Sequence, residues 1–141
     1  MFKFVISVLV GGAVGAVLRE CLMLIVPSPT DKFPLDILVA NLVASLLLGL
    51  VTGLYRRHAV SEAVDLLVGT GIMGGLSTFS SFSYGTVVLM LASAASAAVA
   101  LAYVVTSLVL GYIAVILGLK LGGPPKAAAA GERIDSSTAH R

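Results

Sequence analysis

Apolar residues form long runs along this chain, separated by short polar segments. The longest run, residues 66–119, has no Asp, Glu, Lys, Arg or His over 54 residues. One helix of that length would measure about 80 Å, whereas the hydrocarbon core of a bilayer is about 30 Å thick. The run therefore predicts two membrane-spanning helices, joined by a turn at the small residues 92–96.

Two shorter apolar runs upstream predict two more helices. Residues 37–55 are uncharged and have charged residues on either side. Residues 4–26 are apolar apart from Arg19-Glu20. A cleaved signal peptide would not require the apolar residues that follow this pair, so we interpret the run as a span that is retained. We predict a four-span domain over residues 1–121, a disordered tail over 122–141, and spans at about 4–26, 35–55, 64–91 and 97–120.

Composition places these helices in a membrane. Of the 141 residues, 58% are hydrophobic and 11% are charged, and the mean hydropathy is +1.06. Ordinary soluble domains have about 45–50% apolar and about 25% charged residues. So few charges cannot cover a soluble domain, which excludes a soluble enzyme, a disordered chain and a nucleic-acid-binding domain. We predict an all-α integral membrane protein whose surroundings are lipid.

The Lys and Arg residues favour a cytoplasmic N-terminus, because basic residues flanking spans concentrate on the cytoplasmic side. In that orientation Lys32 is outside, and five basic residues are inside: Lys3, Arg56, Arg57, Lys120 and Lys126.

The third span has an unusual composition for a lipid-facing helix. Residues 69–85 contain five glycines and six Ser or Thr residues. Each glycine weakens a helix by about 1 kcal/mol relative to Ala, and lipid offers no partner for freed backbone groups. We predict a break at mid-membrane within residues 74–78 that faces protein or a polar cavity, as at the ion sites of other membrane proteins. For Gly69, Gly71 and Gly85 we favour close helix packing.

The polar residues outside this segment each allow two interpretations. Asn41 is the only amide in the chain, and it is either a hydrogen-bond donor in a pathway or a contact between helices. Arg19 either attracts anions at a pore mouth or reaches the membrane surface beside Glu20. The sequence shows no nucleophile paired with a base, no phosphate-binding loop and no metal-ligand cluster, so it does not predict an enzyme.

Three motifs and one further residue, Tyr103, resemble the pattern of one family of membrane proteins. Residues 74–82, Gly-Gly-Leu-Ser-Thr-Phe-Ser-Ser-Phe, are similar to the family signature. The glycine-rich segment 11–19 and the second-span Asn41 also match, and Tyr103 lies where the fourth span of the family carries a Tyr. The chain thus resembles the Fluc (CrcB-type) fluoride channels, and the resemblance covers residues 2 to about 121 with the motifs in order. One departure is Asp36-Ile37, which stands where the family usually has Gly-Thr.

The resemblance implies a fluoride-selective passive channel that exports fluoride across the bacterial inner membrane and so relieves fluoride toxicity. Its partners would be fluoride, membrane lipid and a second copy in an antiparallel homodimer with two pores, and no nucleic acid. A chain inserted in both orientations should show little Lys and Arg bias, and we give the resemblance more weight because the bias rests on few charges.

The resemblance also implies particular site residues. A structural Na⁺ on the two-fold axis would be held by the main-chain carbonyls of Gly74 and Ser77. Arg19 would lie at a vestibule. Ring edges and neutral donors would line the fluoride pathway, which would comprise Asn41, Phe79, Ser80, Ser81, Phe82, Tyr103, Thr106 and Ser107.

Two other classes of protein compete with this prediction. A small proton-coupled multidrug exporter would have a similar length, but it needs a carboxylate at mid-membrane, for which Glu20 is the only candidate, and this chain has no Trp for a cation cage. A subunit without transport activity would use its small residues for packing alone, and it would pass no ions in vesicles.

Overall fold

The computed structural model describes residues 2–26 and 33–123, and these residues form helices joined by short connections. Four helical stretches in it are long and apolar enough to cross a membrane, which confirms an all-helical, four-span chain. They cover Phe2–Ile25, Leu35–Arg56, Glu62–Ala92 and Ala94–Gly122. The predicted tail lies outside the described residues from 124 onward, and so do residues 27–32 of the first loop.

Three of the four spans are continuous helices, namely α1 (Phe2–Ile25), α2 (Leu35–Arg56) and α6 (Ala94–Gly122). The third span has several parts. It begins with α3 (Glu62–Val64), continues as a π-helical segment (Asp65–Ile72), and ends with α4 (Met73–Leu76) and α5 (Phe79–Ala92). Ser77 and Thr78, between α4 and α5, have extended backbone angles.

Hydroxyl side chains start the helices in the second half of the chain. Thr78 Oγ1 accepts a hydrogen bond from the backbone N–H of Ser81 at 3.2 Å, which caps α5. Ser93 caps α6 in the same way, accepting from Ser96 N at 3.1 Å. The turn between the third and fourth spans is Ser93 alone, within the small-residue run from which a turn was predicted.

Glycines set the pairing of the helices. A Cβ atom on Gly71 would lie 2.9 Å from the Cα of Gly11, so α1 and the π-helical segment touch backbone to backbone. A Cβ on Gly122 would lie 2.7 Å from the Cα of Gly53, so α2 and α6 are in similar contact. Gly71 therefore has the packing role that its sequence context predicts. Small residues at such crossings let backbones approach closely, and here they build two pairs of parallel helices.

Little of the apolar surface is buried within one chain. Only nine hydrophobic residues are buried among those described, and three of them, Ala44, Met73 and Leu76, form a cluster with partly buried neighbours. Large apolar side chains on α1, α5 and α6 are instead exposed, among them Leu9, Leu91 and Leu108. This distribution is expected for helices whose outer faces contact lipid or another membrane-embedded chain.

Candidate functional site

Asn41 joins α2 to the interruption of the third span. Its Oδ1 accepts hydrogen bonds from Ser77 Oγ at 3.0 Å and from the backbone N–H of Thr78 at 2.9 Å. A backbone N–H is always a donor, so the oxygen of the amide must face Thr78 and the NH₂ group must face away from it. The sequence left two roles open for Asn41, a donor in a pathway or a contact between helices. The contacts of Oδ1 are of the second kind, and the geometry leaves the two N–H bonds available for the first.

The same contacts redirect the backbone hydrogen bonds of the third span. In a continuous helix the N–H of Thr78 would donate to the carbonyl of Gly74, and the N–H of Ser81 to that of Ser77. Here Thr78 N donates to Asn41, and Ser81 N donates to the hydroxyl of Thr78. The carbonyl oxygens of Gly74 and Ser77 therefore lose their helical donors.

A cavity of about 190 Å³ opens beside this interruption. Its lining combines neutral hydrogen-bonding groups with aromatic rings, and none of the described residues that line it is ionisable. The lining residues are Asn41, Ser77, Thr78, Phe79, Phe82, Ser107 and Leu108. Residues from α2, α5 and α6 that lie far apart in sequence thus meet at one place, and most of them are predicted site residues.

Aromatic rings form a row that leads away from this cavity. The ring centroids of Phe79 and Phe82 are 6.0 Å apart, as expected for residues that share a helical face. Phe82 lies 5.3 Å from Tyr103 on α6, and Tyr103 lies 5.4 Å from Phe33 at an interplanar angle of 90°. Phe79 is 80% exposed and Tyr103 is fully buried, so the row runs from the outside of the chain into its interior.

Two buried hydroxyls on α6 border the row. Tyr103 and Ser107 are four residues apart and so lie on one face of the helix. Among the described residues neither hydroxyl has a hydrogen-bond partner of good geometry. A buried hydroxyl without a partner costs about 1–3 kcal/mol, which favours a water molecule or an ion beside these two groups.

The serines between the two phenylalanines lie on another side of α5. Ser80 and Ser81 hydrogen-bond to Thr78 Oγ1 at 3.2 and 3.1 Å, and they line a separate cavity of about 420 Å³. Met23, Ile37 and Tyr84 complete the lining of this second cavity. The structure thus does not bring the serines and the phenyl rings to one cavity.

Two more positions from the sequence analysis take defined places. Thr106 is half-buried and lines neither of the two cavities described above. Ile37, one of the two residues that depart from the family pattern, is buried and presents an apolar side chain to the cavity of Ser80 and Ser81.

Arg19 reaches the end of α4. Its guanidinium donates to the carbonyl oxygen of Gly75 at 3.4 Å and pairs with Glu20 at 3.4 Å. The Gly75 carbonyl is one of those left without a donor where α4 stops, so Arg19 satisfies it from a neighbouring helix. Both contacts leave the side chain 25% exposed. The pairing with Glu20 agrees with the second interpretation of Arg19, and its place at a vestibule stays a prediction.

The sequence analysis missed two aromatic residues of the site. Phe33 precedes α2 and Tyr84 lies on α5, and each contacts or lines a feature described above. The only available signal for Phe33 was an aromatic side chain next to Pro34 at the start of a span. For Tyr84 the signal was its place at the end of the Ser-rich segment.

Comparison with known proteins places the chain in a family. The model of the family described as CrcB-like protein, Camphor Resistance (CrcB), matches residues 6–119. The chain belongs to the CrcB family. The family predicted from residues 74–82 is thereby confirmed, and this CrcB chain, with four spans, is a multi-pass membrane protein.

Curated relatives of this CrcB chain share a name. "Fluoride-specific ion channel FluC 2" of Brucella melitensis is 57% identical over 122 residues, which are 86% of this chain and 45% of the relative. "Fluoride-specific ion channel FluC 3" of Yersinia pseudotuberculosis is 50% identical over 126 residues, or 89% and 93% of the two chains. "Fluoride-specific ion channel FluC 2" of Bacillus licheniformis is 38% identical over 131 residues, or 93% and 96%.

The chain spans less than half the length of the Brucella relatives and nearly the whole length of the other two. These relatives are named as ion channels, and they give no support to the drug-exporter alternative.

Proposed function

We propose that this protein is a passive, fluoride-selective channel that exports fluoride across the bacterial inner membrane and relieves fluoride toxicity. It is not an enzyme. The observation that carries the proposal is the cavity beside Ser77 and Thr78, where an amide, hydroxyls and phenyl rings meet without an ionisable side chain. Curated relatives that share up to 57% identity with the chain are named fluoride-specific ion channels, which agrees with this chemistry.

The lining suits a small, strongly hydrated anion. An anion that leaves water needs donors to replace its hydration shell, and it must also be released. The NH₂ group of Asn41 and the hydroxyls of Ser107 and Tyr103 are neutral donors that bind an anion without trapping it. The hydrogen edges of Phe79 and Phe82 carry partial positive charge and add weaker contacts. Arg19 contributes positive charge near the mouth of this path.

Ser80, Ser81 and Thr106 belong to the pathway in this proposal, although they lie outside the cavity within one chain. The reason is that one chain alone leaves the path open at Phe79. Phe79 presents an aromatic ring that is 80% exposed to the outside of the chain, so a second chain is needed to close the path. Ser80 and Ser81 line the neighbouring cavity, which opens on the other side of α5.

The second chain is a copy inserted in the opposite orientation, and the antiparallel homodimer has two pores. Gly74 supports this assembly. It is exposed, and a Cβ built on it would meet no atom of the described residues outside its own helix within 4 Å, whereas Gly71 and Gly75 contact α1 directly. A glycine with nothing beside it in one chain is suited to close approach by another. In the dimer the interruption at Ser77 and Thr78 lies at mid-membrane.

A sodium ion lies on the two-fold axis of this dimer. The carbonyl oxygens of Gly74 and Ser77 have lost their helical donors, and both residues are exposed within one chain. Two copies would supply four neutral oxygens. Such a set suits a monovalent cation, since Ca²⁺ and Mg²⁺ sites in proteins use carboxylates. Replacing Na⁺ by N-methylglucamine should lower the unfolding temperature of the dimer, and an unchanged unfolding temperature would argue against the ion.

The proposed activity is tested with lipid vesicles that contain only this chain. Vesicles loaded with fluoride should release it when a potassium ionophore sets the voltage, without any proton gradient. A strict requirement for a proton gradient would favour the drug-exporter class, and no release above protein-free vesicles would favour a subunit without transport activity. Labelling of cysteines introduced at the two ends of α1 should reach both ends from each side of the membrane, and labelling of one end only would contradict antiparallel insertion.

A further inference from the structure

The start of α2, with Phe33 and Pro34 before it, contacts both α5 and α6. A Cβ on Gly85 of α5 would lie 3.4 Å from Pro34 Cγ and 3.9 Å from Ile37 Cδ1. On the other side the ring of Phe33 packs edge to face against Tyr103 of α6, with centroids 5.4 Å apart and planes at 90°. This segment therefore closes the space between two helices that carry predicted pathway residues.

Phe33 is the ring at the α2 end of the aromatic row, directly before the start of that helix. The row continues through Tyr103 and Phe82 to Phe79, with successive centroids 5.4, 5.3 and 6.0 Å apart. Phe33 is half-buried and directly precedes a membrane span, whereas Phe79 borders the interruption of the third span. The row thus leads from the start of α2 to the cavity beside Ser77 and Thr78.

Phe33 packs against a residue whose hydroxyl is poorly satisfied. Tyr103 is fully buried, and neither its hydroxyl nor that of Ser107 has a hydrogen-bond partner of good geometry among the described residues. An anion that approaches Tyr103 from the start of α2 meets the ring of Phe33, which packs edge to face against the ring of Tyr103. A phenyl ring offers such an anion its positive edge, which an aliphatic side chain of similar size does not have.

We propose that Phe33 takes part in permeation as the ring that an anion passes before it reaches Tyr103 and Ser107. The inference rests on the proposed channel function and extends the pathway beyond the predicted residues to the start of α2. Phe33 acts by ring-edge contact with the ion. A substitution of Phe33 that keeps the bulk of the side chain and removes the aromatic ring therefore distinguishes this role from packing.

The test is fluoride release from vesicles containing the parent chain, Phe33→Ile or Phe33→Tyr. Phe33→Ile should lower the release rate about tenfold, equivalent to about 1.4 kcal/mol in the barrier, whereas Phe33→Tyr keeps a ring and should stay close to the parent. The matched control is Phe4→Ile on α1, where the same change affects a 40% exposed ring outside the aromatic row. Phe4→Ile should leave the rate unchanged.

Unfolding temperature and dimer fraction in detergent are measured for every variant. A Phe33→Ile dimer of parental stability with a parental release rate would overturn the inference and leave the channel function intact. A rate that falls only in proportion to lost dimer would assign Phe33 to packing and would also overturn it. A parent chain that releases no fluoride would instead contradict the channel function itself.

Discussion

The α2–α6 pair and the third span both depend on glycine, yet they use it for opposite purposes. In the pair, Gly53 and Gly122 bring two continuous helices into backbone contact, and the helices keep their regular hydrogen bonds. In the third span Gly71 and Gly75 pack on α1 in the same way, but the helix stops one residue after Gly75. Two helices touching along their length give a rigid support, whereas the interrupted helix presents backbone and side-chain polar groups to a cavity.

The contrast shows that composition alone does not assign a role to a glycine. Gly74 and Gly75 are adjacent, and Gly75 contacts the backbone of Gly12 while Gly74 has open space beside it. What distinguishes the interrupted region is the set of groups that replace helical hydrogen bonds. These are the amide of Asn41, the hydroxyl of Thr78 and the guanidinium of Arg19.

The largest expected effect comes from disrupting the close contact between α2 and α6. Gly118→Val should clash with the backbone of α2, since a Cβ at this position would collide with the carbonyl of Leu46. Overpacking of this kind costs about 1–3 kcal/mol and sometimes more, and a backbone atom cannot rotate away. We expect little folded protein, measured as the monodisperse fraction in detergent and its unfolding temperature.

The control for that prediction is on the same helix. A Cβ on Gly111 would be 3.9 Å from Ser45 Oγ, which is ordinary contact. Gly111→Ala should therefore fold like the parent, or slightly better because Ala favours helix. Equal yields for Gly118→Val and Gly111→Ala would show that α2 and α6 are not in the tight contact described.

The second prediction breaks the interrupted region without removing its scaffold. Asn41→Asp keeps the oxygen that accepts from Thr78 N, but it replaces the NH₂ donor with negative charge. A charge at the centre of a span costs about 2.5–3.5 kcal/mol and repels an anion, so we expect fluoride release to fall by about two orders of magnitude while the dimer still forms. Parental release by this variant would remove Asn41 from the pathway.

A third prediction concerns the rings. Phe79→Ile and Phe82→Ile preserve bulk and delete the ring edge, and we expect each to lower release about tenfold, an effect of about 1.4 kcal/mol, with folding preserved. Phe→Met at either position should be milder, because the thioether is polarizable and adapts its shape. If both Ile variants release fluoride like the parent while Asn41→Asp is inactive, the rings are packing residues and the amide and hydroxyls alone carry the ion.

The smallest expected effect is at the cap of α5. Thr78→Ala removes the oxygen that accepts from Ser81 N, at a cost of about 1 kcal/mol in the free energy of unfolding. Thr78→Ser keeps a capping hydroxyl and should recover most of this loss. The free energy of unfolding of the two variants, compared in the same detergent, tests whether the interruption is held by this cap.

Much of the fold follows from the sequence because lipid tolerates few charges. The gap between Asp65 and Lys120 demanded two spans, and the density of Gly, Ser and Thr around residue 77 indicated where the third helix deviates from a regular one. Family membership followed from residues 74–82, since that combination of breakers, hydroxyls and phenyl rings is specific.

The finer features could not be predicted, because they depend on contacts between helices. Nothing in the sequence pairs Gly11 with Gly71 or Gly53 with Gly122, since each span carries small residues. The sequence identified Asn41 as important, yet only the structure shows its oxygen replacing the helical partner of Thr78 N. Phe33 was missed because its role depends on Tyr103, which lies 70 residues further along the chain.

Anion release from vesicles containing only this chain tests whether the neutral, interrupted third span passes fluoride. The same preparation is loaded once with fluoride and once with chloride, the voltage is set with a potassium ionophore, and release is followed with an ion-selective electrode. We expect rapid fluoride release without a proton gradient and chloride retention equal to that of protein-free vesicles. Fluoride retention equal to that of protein-free vesicles, or equal release of the two anions, would contradict this expectation.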